Sequence, residues 1–164
     1  MKIAVISDIH DNLANLEKFL SWAKAAKIDE LVCAGDVANK ETLEFMATGF
    51  SRRVHLVRGN MEIYDEAEVK KYPNIDYLGR FGIFEAKGKR AGVCHEPFFI
   101  KEVFKKNPGS DIVFYGHTHK PWLEKVDGIT AVNPGTLGGV FQKATFAVWD
   151  NESGELELKL LEEM

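Results

Sequence analysis

Five short apolar runs in this chain each stop at a polar block of one chemical kind. The blocks are Asp8-Ile9-His10, Gly35-Asp36, Gly59-Asn60, His95 and Gly116-His117-Thr118-His119. A short apolar run bounded by a turn reads as a buried strand, and in an open α/β sheet the carboxyl ends of the strands meet at one crevice. Residues just past five strands can therefore converge although the first and last stand far apart in sequence. Two Asp, one Asn and four His would meet there. Nitrogen and oxygen donors without thiolates suit one or two divalent transition ions, and the pattern predicts a dinuclear metal hydrolase.

The remaining periodicity orders the fold. Residues 2–7 read as a strand, and Leu13, Leu16, Leu20 and Ala23 then recur at helical spacing, with Asp11 or Asn12 placed to cap the helix. A strand at 31–34, the Gly35-Asp36 turn and a helix over about 40–48, closed by Gly49, repeat the unit. A third strand, 53–57, runs into Arg58-Gly59-Asn60. Runs at 75–78, 81–86 and 90–94, separated by Gly79 and Lys87-Gly88-Lys89, predict antiparallel strands joined by tight turns. A helix over Phe98–Lys106 and a strand at 111–115 follow. Strands at 121–126, 129–133, 144–149 and 155–161 end the chain, with turns at Asp127-Gly128 and Asn151–Gly154. Early βαβ units and a later meander predict an α/β fold of two sheets packed face to face with helices outside. Length (164 residues) and an unbroken composition with 45 % hydrophobic residues predict one domain over 1–164.

Charge and composition exclude several partners. The formal net charge is −4 and the basic residues are scattered, in nothing longer than doublets such as Arg52-Arg53, Lys70-Lys71 and Lys105-Lys106, so no stripe tracks a nucleic acid. The first apolar run is too short for a signal peptide and no run approaches a membrane span, so the expected location is the cytoplasm. Cys33 and Cys94 lie in apolar runs without a CxxC, which predicts buried reduced thiols. Trp22, Trp122, Phe98 and Phe99 could line a pocket or a homo-oligomer interface, although core packing is the commoner fate of such residues.

Each site residue has a plainer explanation when taken alone. Asp8 and Asp36 precede helices and could be N-caps; Asn60 could be a left-handed turn residue after Gly59; His117 and His119 could be a polar strand end. Caps and turns do not explain why four of five histidines fall at strand ends with Asp and Asn at the others. The fifth, His55, lies mid-strand between Val54 and Leu56 and reads as packing. Glu62 and Glu96 read either as acceptors for imidazole N–H groups or as solvated or helix-start acids. Two ions sharing a bridging hydroxide would serve in-line phosphoester hydrolysis with no side-chain nucleophile. Imidazole nitrogen admits manganese, iron, nickel, cobalt or zinc over magnesium or calcium, and manganese is the expected ion.

In their order, the five blocks resemble the calcineurin-like metallophosphoesterase signature over positions 3–136. The short length and the turn Asn133-Pro134-Gly135-Thr136 are most similar to its small single-domain phosphodiesterases of bacteria and archaea. The resemblance implies a four-layer αββα sandwich of two mixed β-sheets flanked by helices. It implies Asp8, His10, Asp36 and His119 at one metal and Asp36, Asn60, His95 and His117 at the other, with Asp36 bridging and Asn60 and His95 also near substrate. The implied substrate is a small organic phosphodiester; a phosphomonoester or a nucleotide pyrophosphate is the nearest alternative. A protein-binding scaffold, like the retromer subunit of eukaryotes, is the alternative of another class.

Three departures from the family pattern bear on chemistry. Where many members have Gly-Asn-His followed by an acid, this chain has Gly59-Asn60-Met61-Glu62, and Met61 cannot donate a proton to a leaving group. That favours esters whose leaving group departs as a stable anion. Glu96 replaces a common Gly after the metal histidine and sets a negative charge near an anionic substrate. Leu137-Gly138-Gly139-Val140 stands where relatives often carry a Pro-Arg pair, which removes an arginine clamp.

Overall fold

The computed structural model describes residues 1–106, 108–110, 112–126 and 128–164, and of Val126 the backbone alone. In one sheet β1 (Lys2–Ile6), β2 (Glu30–Cys33), β3 (Val54–Leu56) and β4 (Ile75–Tyr77) lie parallel, while β10 (Thr145–Asp150) and β11 (Leu156–Leu160) continue antiparallel beyond β1. The second sheet has the order β5 (Phe81–Ala86), β6 (Lys89–Cys94), β7 (Ile112–Phe114), β9 (Ile129–Asn133), β8 (Trp122–Val126). Its three inner strands are parallel and its two edge strands antiparallel.

Alternation along the strands builds the layers. Ala4 and Ile6 of β1 face α1 (Leu13–Ala25) and α2 (Lys40–Gly49), packing with Leu16, Phe19, Leu43 and Met46. Ile3 and Val5 point the other way and meet Phe84, Val93 and Phe114 of the second sheet. On that sheet's outer face Cys94, Val113 and Ala131 bury Val103 of α4 (Ile100–Lys106). The stack is helix, sheet, sheet, helix, the four-layer αββα arrangement that the resemblance implies. Burial raises the pKa of both free thiols, pushing Cys94 up to about 12. Among the described residues no helix is long and apolar enough to cross a membrane.

Two parts of the sequence reading need correction. Residues 75–77 do not pair antiparallel with 81–86; they pair parallel with β3, Val54 opposite Ile75 and Leu56 opposite Tyr77. The chain gets there through an unanticipated one-turn helix, α3 (Glu66–Val69), whose Asp65 cap accepts the N–H groups of Ala67 and Glu68. The final strands do not form one meander. β8 and β9 are a hairpin of the second sheet, whereas β10 and β11 return to the first. At the helix ends, Asn12 rather than Asp11 caps α1, its side chain accepting Asn15 N–H at 3.1 Å. Gly49 lies inside α2, Phe50 is the C-cap, and Pro97–Phe99 form a 3-10 turn ahead of α4. The strand start expected at 111 and the turn residue Asp127 lie outside the described residues.

His55 is buried as expected, stacked on Phe84 with ring centroids 4.3 Å apart. It also does more than pack, because Nδ1 lies 3.0 Å from Asp76 and Nε2 3.0 Å from Glu30. Parallel pairing of β2, β3 and β4 sets these three side chains on one face. His55→Ala leaves both carboxylates without this partner, and should cost about 1–3 kcal/mol while leaving metal content unchanged. A thermal melt paired with elemental analysis checks this; loss of metal would show that His55 supports the site.

Candidate metal centre

The site forms where the carboxyl ends of five parallel strands meet, three from one sheet and two from the other. β1 delivers Asp8 and His10, β2 Asp36, β3 Asn60, β6 His95 and β7 His117 and His119. Five of these seven have left-handed backbone: Asp8 (φ 54°), His10 (47°), Asp36 (55°), His117 (70°) and His119 (58°). That region is uncommon for non-glycine residues but best tolerated by Asp, Asn and His, and its clustering at one point indicates a conformation enforced by its surroundings.

The enforcing contacts are visible. Asp8 N–H donates to Gly35 O (3.0 Å), and the N–H groups of Ile9 and His10 both donate to Asp36 O. Thr136 Oγ1 and Gly138 N–H donate to Asp8 O at 2.8 and 2.9 Å. Two close approaches admit only glycine. A Cβ on Gly59 would overlap Asp36 Oδ1, and one on Gly116 would overlap Ser7 Oγ. Asn133 Nδ2 donates to Gly116 O (2.9 Å) and Thr118 Oγ1 (3.0 Å), so the Asn-Pro-Gly-Thr turn holds the two-histidine loop. The sequence reading noted that turn but missed this positioning role of Asn133.

The ligand atoms form two overlapping groups. In the first, His10 Nε2 and His119 Nε2 are 3.0 Å apart, and Asp8 Oδ1 lies 3.7 and 3.2 Å from them. In the second, Asn60 Oδ1 lies 3.0 Å from His95 Nε2 and 2.9 Å from His117 Nδ1. Asp36 Oδ2 joins them, 3.7 Å from His10 Nε2 and 3.3 Å from His95 Nε2, while Asp36 Oδ1 is occupied by Met61 N–H at 2.9 Å.

These residues fit metal ions. Asp8 Oδ1 is buried without a hydrogen-bond partner. His119 Nδ1 donates to Val140 O (3.1 Å) and His95 Nδ1 to Ala34 O (2.7 Å), so in the neutral rings both Nε2 atoms present lone pairs to the cluster. Backbone carbonyls thus orient the rings. Glu62 and Glu96 do not: Glu62 accepts Val37 N–H (3.2 Å) and Glu96 lies 3.4 Å from Arg80. Pairing with Arg80 offsets the charge of Glu96, so the expected repulsion of an anionic substrate is weakened. Neither Asp8 nor Asp36 is a helix cap, since Asn12 and Asn39 hold those positions. His95 is fully buried with both ring nitrogens engaged, which leaves it no open face for substrate; Asn60 is exposed.

Charge is concentrated here. Burial, the largest influence on His95, disfavours its protonated ring, yet Asp36 and Asp8 outweigh it and raise the pKa to about 9. Burial is also the largest influence on Asp36 and pushes its pKa up, but His95, Met61 N–H and His10 together bring it down. Asp8 does most to raise His10, and burial raises Glu62. A cation at this cluster would compete with a proton for His95 Nε2.

A centre of this composition on an αββα sandwich is the mark of one class of proteins. The chain belongs to the calcineurin-like phosphoesterase superfamily, whose domain model matches residues 1–154. It is 24 % identical to phosphodiesterase MJ0936 of Methanocaldococcus jannaschii, over 99 % of this chain and 100 % of that one. It is also 28 % identical to vacuolar protein sorting-associated protein 29 of Schizosaccharomyces pombe, over 85 % of this chain and 73 % of that one. A solved archaeal phosphodiesterase superposes with a TM-score of 0.85 at 23 % identity, covering 98 % of this chain and 99 % of that one, and so shares the fold.

Proposed function

We propose that this protein is a metal-dependent phosphodiesterase acting on small organic phosphodiesters through two divalent ions, manganese foremost. The observation that carries the reading is Asp36 Oδ2, placed between two complete groups of nitrogen and oxygen donors. Asp8, His10, Asp36 and His119 would hold one ion, and Asp36, Asn60, His95 and His117 the other. Such a pair lowers the pKa of water and neutralises charge on a phosphoryl group in line for displacement. Asn60, with Oδ1 turned to His95 and His117, keeps Nδ2 as a donor for a phosphoryl oxygen. Met61 supplies no proton, and a general acid is worth about 10²–10⁴ in rate, so good leaving groups are favoured.

Metal-loaded protein should turn over bis-p-nitrophenyl phosphate faster than p-nitrophenyl phosphate, and a chelator should abolish both. Faster monoester turnover would make it a phosphomonoesterase. No turnover by protein carrying two ions would favour the scaffold reading, which the similarity to vacuolar protein sorting-associated protein 29 keeps in view.

A further inference from the structure

Phe141 is 92 % exposed, yet its backbone has φ 62°. An aromatic side chain in the left-handed region is sterically disfavoured, and glycine takes such a turn without strain. Burial does not compensate. The conformation does set the ring nearly parallel to the His119 imidazole, at 25° with centroids 6.3 Å apart, within the range of aromatic pairing. The preceding residue, Val140, supplies the carbonyl that accepts His119 Nδ1–H. One short loop therefore orients a proposed metal ligand and stands an open aromatic face beside it. Met61, which follows Asn60 in the chain, is 52 % exposed, its backbone N–H pinned to Asp36 Oδ1. A thioether is a favourable neighbour for an aromatic ring, so exposed Met61 is compatible with an apolar, planar group at this cluster.

We propose that Phe141 forms an aromatic subsite, stacking on a planar aryl group of the ester while the phosphoryl group is held at the ligand cluster. The inference rests on the phosphoesterase reading above. Isothermal titration of metal-loaded protein with phenylphosphonate, methylphosphonate and inorganic phosphate tests it. Wild type should bind phenylphosphonate about tenfold tighter than methylphosphonate. Phe141→Gly should bind the two alike, with phosphate affinity and metal content unchanged and a melting temperature equal to or above wild type, because glycine relieves the strained turn. A variant that keeps the preference, or a wild type that binds phosphate but shows none, would overturn the subsite. So would loss of preference together with a lower melting temperature or lost metal, since Phe141 would then be supporting the loop. Failure of phosphate to bind the metal-loaded protein would overturn the phosphoesterase reading, and this inference with it.

Discussion

Asp36→Asn is expected to empty both metal positions together and to lower turnover by at least about 10³-fold. The reason is the division of labour between its two oxygens. Oδ1 accepts Met61 N–H, and that contact holds the Gly59-Asn60-Met61 turn against the β2 loop. An asparagine that keeps this bond must turn its amide NH2 toward His95 and His10, where a shared anionic oxygen stood. An amide nitrogen does not coordinate as a carboxylate does, and the charge between two dications is lost. The fold itself should survive, because the substitution removes a buried charge while retaining the shape. Elemental analysis with a thermal melt separates these effects. A folded variant that still carried two ions and most of its activity would remove Asp36 from the bridging position.

Gly59→Ala should be strongly damaging for so small a substitution. The added methyl collides with Asp36 Oδ1, which is held by Met61 N–H, and with the Asp36 backbone nitrogen, which cannot swing away. Overpacking of this kind costs about 3 kcal/mol, or roughly 10 °C in melting temperature for a chain of this size. Because the displaced atoms include the carboxylate of the proposed bridge, metal content should fall with it. Gly109→Ala is the matched control. Among the described residues, its two chain neighbours aside, no atom lies within 4 Å of its new methyl, and its effect should stay within about 0.5 kcal/mol. Similar melting curves for the two variants would show that the β2 and β3 loops do not depend on this close approach.

The two variants probe different kinds of information. The identity of the candidate ligands was legible from local sequence, since an apolar run that ends in Asp, Asn or His records both a strand and what stands at its end. The left-handed backbone of Asp8, His10, Asp36, His117 and His119 agrees with residue types that tolerate it. The packing of Ile3 and Val5 on one side of β1, and of Ala4 and Ile6 on the other, follows from strand alternation alone.

Sequence could not say which sheet a strand joins. A run such as 75–77 has the same alternation whether it pairs antiparallel with 81–86 or parallel with β3, and the return of β10 and β11 to the first sheet is likewise a matter of distant partners. The carboxylate contacts of His55 depend on that choice, because only the parallel register of β2, β3 and β4 gathers Glu30 and Asp76 about it. The same holds at the centre. Residue types announced a set of donors, but the position of Asp36 Oδ2 between His10 and His95, the carbonyls that orient His95 and His119, and the place of Phe141 beside His119 are set by contacts between loops far apart in the chain. Local preference reaches a few residues; these arrangements exist only once two sheets have packed and brought their strand ends to one place.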